Sequence, residues 1–256
     1  MKIQYASDLH LELSGNSRLF SHDMPFEAVG DVLVLAGDCA YLNQENLPCQ
    51  KFWQWASNNF QKVMIVPGNH EFYHFGDVAM YGDSWHKEIL PNVSYHQNEV
   101  VHIGDTDFIL STLWSYIDPT QENNIFYSMN DFRQIRYNGC QFTTDDVIEE
   151  HLKSVAFIKK SVAESNAAHK VVVTHHLPTF MAVAPRHKGS PIGSAFATEL
   201  KDYIAESDID LWIYGHSHTN VDTMIGNTRI VCNQFGYVAH GEHMNGFSGD
   251  KYITIP

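Results

Sequence analysis

Five short segments of this chain end in side chains able to hold metal ions and to move protons. They are Asp8-Leu9-His10, Gly37-Asp38, Gly68-Asn69-His70-Glu71, Thr174-His175-His176 and Gly215-His216-Ser217-His218. Carboxylates, a carboxamide and imidazoles make a donor set of oxygen and nitrogen without thiolate. That set suits Mn, Fe, Zn or Ni better than a structural zinc site does. The 16 histidines are the compositional oddity of the chain, and imidazole is the commonest nitrogen ligand for metals. In an extended segment alternate side chains face one way. Asp8 with His10, and His216 with His218, would then each present two donors to one side. Gly37, Gly68 and Gly215 permit tight turns where backbone passes close to an ion. Each piece alone is a weak signal, whereas the ordered set of five is a strong one.

These segments need something to bring them together. Short apolar runs recur at residues 2–7, 31–37, 62–68, 105–112, 170–176, 210–216, 228–233 and 252–256. Runs such as Val32-Leu33-Val34-Leu35-Ala36 lack polar alternation, as in strands buried on both faces. Five runs lead directly into the donor-bearing segments, and in open α/β sheets ligands sit beyond the carboxyl ends of strands. Between the runs, Asp145–Ser165 carries apolar residues at Ile148, Leu152, Val155, Ile158 and Val162. That spacing predicts one helical stripe, with Thr144 as N-cap. Cys49–Phe60 and Ala195–Glu206 read as shorter helices. The class is α/β. Residues 113–142 show no period and read as a long loop, a feature that is often functional.

Composition narrows the function. The net charge is −14, from 30 acidic and 16 basic residues, a field that repels a long polyanion. Extended nucleic acid is therefore disfavoured as a partner. No run of 18 apolar residues predicts a membrane span, and the N-terminus lacks the features of a signal peptide. The expected location is the cytoplasm. Cys39, Cys49, Cys140 and Cys232 form no C-x-x-C pair and read as thiols rather than a disulfide framework.

The order D-x-H, G-D, G-N-H-E, H, G-H-x-H resembles the calcineurin-like metallophosphoesterases, over residues 8 to 218. The resemblance implies a two-sheet β-sandwich flanked by helices, in α/β/β/α layers, with residues 1–256 forming a single metallophosphoesterase domain. It implies two metal ions, one held by Asp8, His10 and His218, the other by Asn69, His175 and His216. Asp38 would bridge them. In the fourth segment His175 matches the family histidine better than His176. His70 would act from outside the metal ligands as general acid or as a hydrogen-bond donor to the phosphoryl oxygens, with Glu71 supporting the site. The implied activity is hydrolysis of a phosphomonoester or phosphodiester of a small organic phosphate. A hydroxide bridging the metals would attack phosphorus in line.

Two other functions compete. His70-Glu71-Phe72-Tyr73-His74 matches H-E-x-x-H, a zinc-protease signature that needs both histidines on one helix face. Pro67-Gly68-Asn69 before it and Gly76 after it leave no room for a long helix. A metal-retaining binding module without catalysis is the other reading, since fold alone does not guarantee activity. No G-x-G-x-x-G or G-K-[ST] loop is present. His240-Gly241-Glu242-His243 reads as a solvated loop near a chain end. Residues 114–133, including Phe126, Tyr127, Asn130 and Asp131, and residues 184–189 are candidates for the pocket wall. Within or beside them, Arg133, Arg136, Arg186 and Lys188 could meet a phosphate. Asn233 and Tyr237 are placed near the last donor-bearing loop.

Overall fold

The structure is a computed structural model that describes residues 1–44, 46–47 and 50–256. Along the chain the strands are β1 (Lys2–Ala6), β2 (Val32–Ala36), β3 (Lys62–Val66), β4 (Trp85–Leu90) and β5 (Val93–Gln97). There follow β6 (Glu99–Ile103), β7 (Thr106–Leu110), β8 (Arg136–Tyr137), β9 (Cys140–Gln141) and β10 (His169–Val173). The last four are β11 (Leu211–Ile213), β12 (Asp222–Ile225), β13 (Thr228–Val231) and β14 (Tyr252–Thr254). The helices are α1 (Ser14–His22), α2 (Lys51–Asn59), α3 (Glu122–Ser128), α4 (Asp131–Gln134), α5 (Thr144–Glu164) and α6 (Lys201–Glu206).

The strands form two mixed sheets of six, ordered β14-β1-β2-β3-β5-β4 and β12-β13-β11-β10-β7-β6. Their inner faces meet in one apolar layer. It includes Ile3, Val34, Met64, Phe108, Val173 and Ile213. The outer face of the first sheet, with Leu33, Ile65 and Tyr95, packs on Phe20 of α1 and Phe52 and Trp53 of α2. The outer face of the second, with Ile109, Val172 and Trp212, packs on Ile158 and Val162 of α5 and Ile204 of α6. Strand β2 therefore sends Val32, Val34 and Ala36 inward and Leu33 and Leu35 outward, all fully buried. Each such Val or Leu contributes about 1.5–3 kcal/mol by leaving water. The two-sheet sandwich flanked by helices is the predicted architecture.

All eight predicted apolar runs contain strands. Strands β4, β5, β6 and β12 escape the pattern. Of these, β4, β6 and β12 lie at sheet edges, where half of the residues meet water. In β5 polar side chains are buried against partners: Ser94 and His96 bond each other at 2.8 Å, and Gln97 accepts from Thr112. The long loop at 113–142 contains α3, α4 and the β8–β9 hairpin. Helix α6 is shorter than predicted, because Ala197 bridges Leu177 and the chain before it forms a single 3₁₀ turn at Gly193–Ala195. Helix α2 begins at Lys51, and Cys49 lies outside the described residues.

Helix α5 differs from its predicted face. Leu152 is 56 % exposed, and the buried stripe is Val147, His151, Ser154, Ile158 and Val162. His151 turns inward because its Nδ1 donates to the Leu113 carbonyl at 3.0 Å. The N-cap is Thr143, one residue earlier than predicted, in a reciprocal capping box with Asp146. Losing this cap should cost about 1 kcal/mol. Thr143→Ala is accordingly expected to lower the melting temperature by about 2–4 °C. An unchanged thermal transition would show that the cap carries no stability.

Candidate functional site

Strands β1, β2 and β3 run parallel in the first sheet, and β10 and β11 run parallel in the second. Each of the five ends one or two residues before a donor-bearing segment, so both sheets deliver their segments to one edge of the sandwich. Cross-links fix the meeting point. His175 Nδ1 donates to the Ala36 carbonyl at 2.9 Å, joining the ends of β10 and β2. The His216 N–H donates to both Asp8 oxygens, at 3.0 and 3.1 Å.

The segments are not extended, contrary to the sequence reading. Asp8, His10, Asp38, His216 and His218 all have left-handed backbone, with φ between 46° and 75°. Non-glycine residues enter this region rarely, at about 1–3 kcal/mol each, and do so mainly where function over-determines them. The turns are still held in order: Asp8 N–H donates to Gly37 O and His10 N–H to Asp38 O, each at 2.9 Å. Glycine is required at two closely approached positions. A Cβ on Gly68 would fall on Asp38 Oδ1, and one on Gly215 would lie 2.6 Å from the Ala36 carbonyl.

The side chains converge in two groups, Asp8, His10 and His218 on one side and Asp38, His175 and His216 on the other, and Asp38 also groups with His10 and His70 between them. In the first, His10 Nδ1 donates to Glu12 at 3.0 Å and His218 Nδ1 donates to Glu242 at 2.6 Å. These bonds leave lone pairs on both Nε2 atoms, which face each other at 3.2 Å. Asp8 Oδ1 lies 3.3 Å from His218 Nε2, and Asp38 Oδ2 lies 3.9 Å from His10 Nε2. In the second group, the Ala36 carbonyl fixes the proton of His175 on Nδ1. Its Nε2 then points at Asn69 Oδ1 (3.1 Å), His216 Nδ1 (3.1 Å) and Asp38 Oδ1 (3.4 Å). Asn69 Nδ2 is turned away to Asp131 Oδ1 at 2.7 Å, which leaves its carbonyl oxygen inward. His216 Nε2 is buried without a partner among the described residues.

Inward nitrogens and oxygens thus crowd one another, an arrangement that needs positive charge among them: protons on the imidazoles, or a metal ion held by the same atoms. The outward N–H bonds to carboxylates and a carbonyl are those that orient metal-binding histidines. The donor set therefore fits metal ions. Protonation follows the same demand for positive charge. Burial pulls His175 and His218 down, but the neighbouring carboxylates push them up, to about 9 and about 10. Burial would raise Asp38, yet His175, His70 and His10 hold it well below the usual carboxylate range.

Glu71 locks the loops after β2 and β3. Its buried carboxylate accepts from the N–H groups of Asp38 (2.9 Å), Cys39 (2.7 Å), Ala40 (3.3 Å) and Gly68 (2.7 Å), and from the Tyr95 hydroxyl (3.1 Å). Burial and the Asp38 charge push it up to about 7, against those N–H donors. His70 stands beside both groups. Its N–H donates to Asp38 Oδ1 at 2.9 Å, its Nδ1 donates to Glu12 at 3.1 Å, and its Nε2 lies 3.3 Å from the Tyr237 hydroxyl. Burial lowers His70, but Asp38 and Glu12 outweigh it and push it up to about 9.

Above these groups lies a cleft of about 600 Å³, lined in part by Asp38, Asn69, His70, His216, His218 and Tyr237. Arg186 is the one Arg or Lys on its wall among the described residues. Arg133 instead bonds the Tyr127 carbonyl, Arg136 lies over Phe75, and Lys188 lines a different surface hollow. Asn233 is buried and clamps the Tyr5 and Ser248 carbonyls. His176 packs between Trp114 and His216, away from the converging lone pairs. His74 sits on Tyr41, after a 3₁₀ turn at His70–Phe72 and in left-handed backbone. No helix face presents it together with His70.

Sequence reasoning missed Glu12, and it named Asp131 and Glu242 only within larger stretches, without their partners. Glu12 has a local signal, the alternation Asp8-His10-Glu12. The roles of Asp131 and Glu242 have none, because each reaches its partner from a segment distant in the chain. The segment 240–243 was read as a solvated loop, and the correction is that its Glu242 holds His218. Outer partners of this kind typically contribute about 10–100-fold in metal affinity. Glu242→Ala should weaken metal binding by about that factor, measured by competition with a chromogenic chelator. Wild-type affinity in this variant would remove Glu242 from the site.

Comparison with known proteins agrees with this geometry. The calcineurin-like phosphoesterase profile matches residues 1–220. An uncharacterized protein of Acanthamoeba polyphaga mimivirus is 30 % identical over 276 residues, covering 99 % of this chain and 96 % of its own. The crystal structure of the phosphopantetheinyl hydrolase from Mycobacterium tuberculosis superposes with a TM-score of 0.69 at 17 % identity, covering 98 % of this chain and 95 % of that one. The match of the profile to most of the chain settles the family: this protein belongs to the calcineurin-like phosphoesterases.

Proposed function

We propose that the chain, as one metallophosphoesterase domain, uses two metal ions to hydrolyse a phosphoester of a small organic phosphate. The observation that supports this reading best is the pair of acceptor clusters sharing Asp38, whose two oxygens face different groups. Asp8, His10 and His218 would hold one ion, and Asn69, His175 and His216 the other, with Asp38 common to both. Mn, Fe, Zn and Ni all suit such ligands. Bound metal ions supply Lewis acidity, which activates water near neutral pH and withdraws charge from phosphoryl oxygens.

The chain's own residues do the rest. Glu12, Glu242 and the Ala36 carbonyl hold the imidazoles in the tautomer that leaves Nε2 free. Asp131 holds Asn69 with its oxygen inward. His70 presents Nε2 to the cleft and gives a proton to the leaving oxygen as the bond from phosphorus to that oxygen breaks. Arg186 offers the phosphate a guanidinium from the wall. The cleft suits a small phosphate, and the net charge of −14 disfavours a polyanion.

The decisive experiment strips metal with a chelator and restores Mn, Ni, Zn or Fe separately. A panel of phosphomonoesters, phosphodiesters, cyclic nucleotides and a phosphopantetheinyl ester is then assayed. Metal-dependent hydrolysis of at least one is expected, with two ions bound per chain. Two bound ions without hydrolysis would instead favour a binding module. Asp38→Asn should lower both metal content and turnover, since a neutral amide does not offset repulsion between two cations. Wild-type metal content in that variant would overturn the bridge.

His70 and His74 separate this reading from a zinc protease. His70→Ala should cut turnover by about 10²–10⁴-fold for esters with poor leaving groups. The loss should be smaller for a nitrophenyl ester, whose leaving group departs without a proton, and metal content should stay near normal. His74→Ala should change little. Equal loss of metal in both variants would sink the assignment.

A further inference from the structure

Beside the cleft lies a second hollow of about 180 Å³ with a different chemistry. Leu177, Val183, Ile192 and Phe196 give it apolar walls. The two spaces adjoin, because His187, Phe196 and Ser217 line both. The wall is built from the metal-site loops themselves. Leu177 follows His175 by two residues, and Ser217 directly follows His216. Phe196 stacks on the His216 ring at 4.7 Å, and its carbonyl accepts from the Leu177 N–H at 3.0 Å. An occupant of the hollow would therefore touch the residues adjoining the second acceptor group.

We propose that this hollow receives the apolar organic part of the substrate, a benzene-sized ring or a short branched chain. The inference rests on the phosphoester reading above. Three observations support it. First, an apolar cavity of about 150 Å³ suffices for benzene, so the volume here fits one ring. Second, the cleft floor carries the residues proposed to hold the metal ions, which draw phosphoryl oxygens, so the phosphoryl group belongs on the floor. The attached carbon chain then leaves toward the apolar side. Third, Arg186 and His187 lie next to each other at the junction, 2.9 Å apart. They mark the boundary where charge ends and the apolar wall begins.

The test has a binding arm and a kinetic arm. Benzyl alcohol, a product-like probe without phosphate, is titrated into metal-free protein with labelled methyl groups. It should shift the resonances of Leu177, Val183 and Ile192, and Val183→Trp should abolish the shifts by filling the hollow. In the kinetic arm, metal-loaded wild-type protein is given methyl, ethyl, propyl, butyl and benzyl phosphates. kcat/KM should rise about fourfold per methylene buried, and Val183→Trp should collapse the ratio of benzyl to methyl phosphate. Absence of methyl shifts with benzyl alcohol overturns the pocket whatever the kinetics. Shifts with a flat series mean that substrates bypass the hollow, which overturns the inference and leaves the phosphoesterase reading standing. Failure to hydrolyse any ester with any metal overturns both.

Discussion

The structure depends on holding acceptor atoms face to face against their own repulsion. His10 and His218 turn Nε2 toward each other, and His175 turns its Nε2 toward Asn69 and Asp38. Such crowding holds only with positive charge among these atoms, supplied by protons or by a metal ion. It persists because the outward atoms of four of these side chains are bound elsewhere: Nδ1 of His10, His218 and His175, and Nδ2 of Asn69, all donate to carboxylates or a carbonyl. Hydrogen bonds to charged groups contribute about 1.5–3 kcal/mol each, enough to set a tautomer and a rotamer. The site is thereby prepared for cations before any arrive.

The backbone carries a second cost. Five of the donor residues occupy left-handed conformations, at about 1–3 kcal/mol each. The sandwich supplies what offsets this. Its strands are buried on both faces, and their parallel ends cannot fray without exposing Val, Leu and Ile on either side. Glu71 adds the local clamp by collecting four N–H groups from two loops onto one carboxylate. These groups would be left buried and unpaired without it, and each orphan costs about 1–3 kcal/mol. Glu71 thus positions Asp38 without occupying the site.

The legible part of this protein is the part written in local pattern. Both-face burial makes continuous apolar runs, so central strands such as β2 and β10 stand out, whereas edge strands such as β4 alternate weakly and do not. The seven proposed donors were legible because each follows a strand at short range. The backbone shape at those positions was not, since alternation assumes an extended chain and Asp8 and His10 are left-handed. Glu242 was invisible for another reason. Its meaning comes from contact with His218 across 24 residues of chain, and no spacing rule encodes that. Leu152 misled because an apolar residue at helical spacing was taken as inward, while His151 took the buried place through its bond to Leu113.

Charge ties the site to the whole molecule. A net charge of −14 lowers the potential everywhere, which attracts cations and repels phosphates. A phosphoesterase needs both to arrive. The distribution resolves this conflict: Asp38 and Glu242 line the cleft, Asp8, Glu12, Glu71 and Asp131 bond the residues beneath it, and Arg186 is the one Arg or Lys on its wall among the described residues. Bound metal charge would reverse the sign of the floor locally, over a range that salt limits to about 8–10 Å. A small phosphate can fit within that range. A polyanion extends past it into the negative field, so the same carboxylates that gather the metal set an upper limit on the size of the anion.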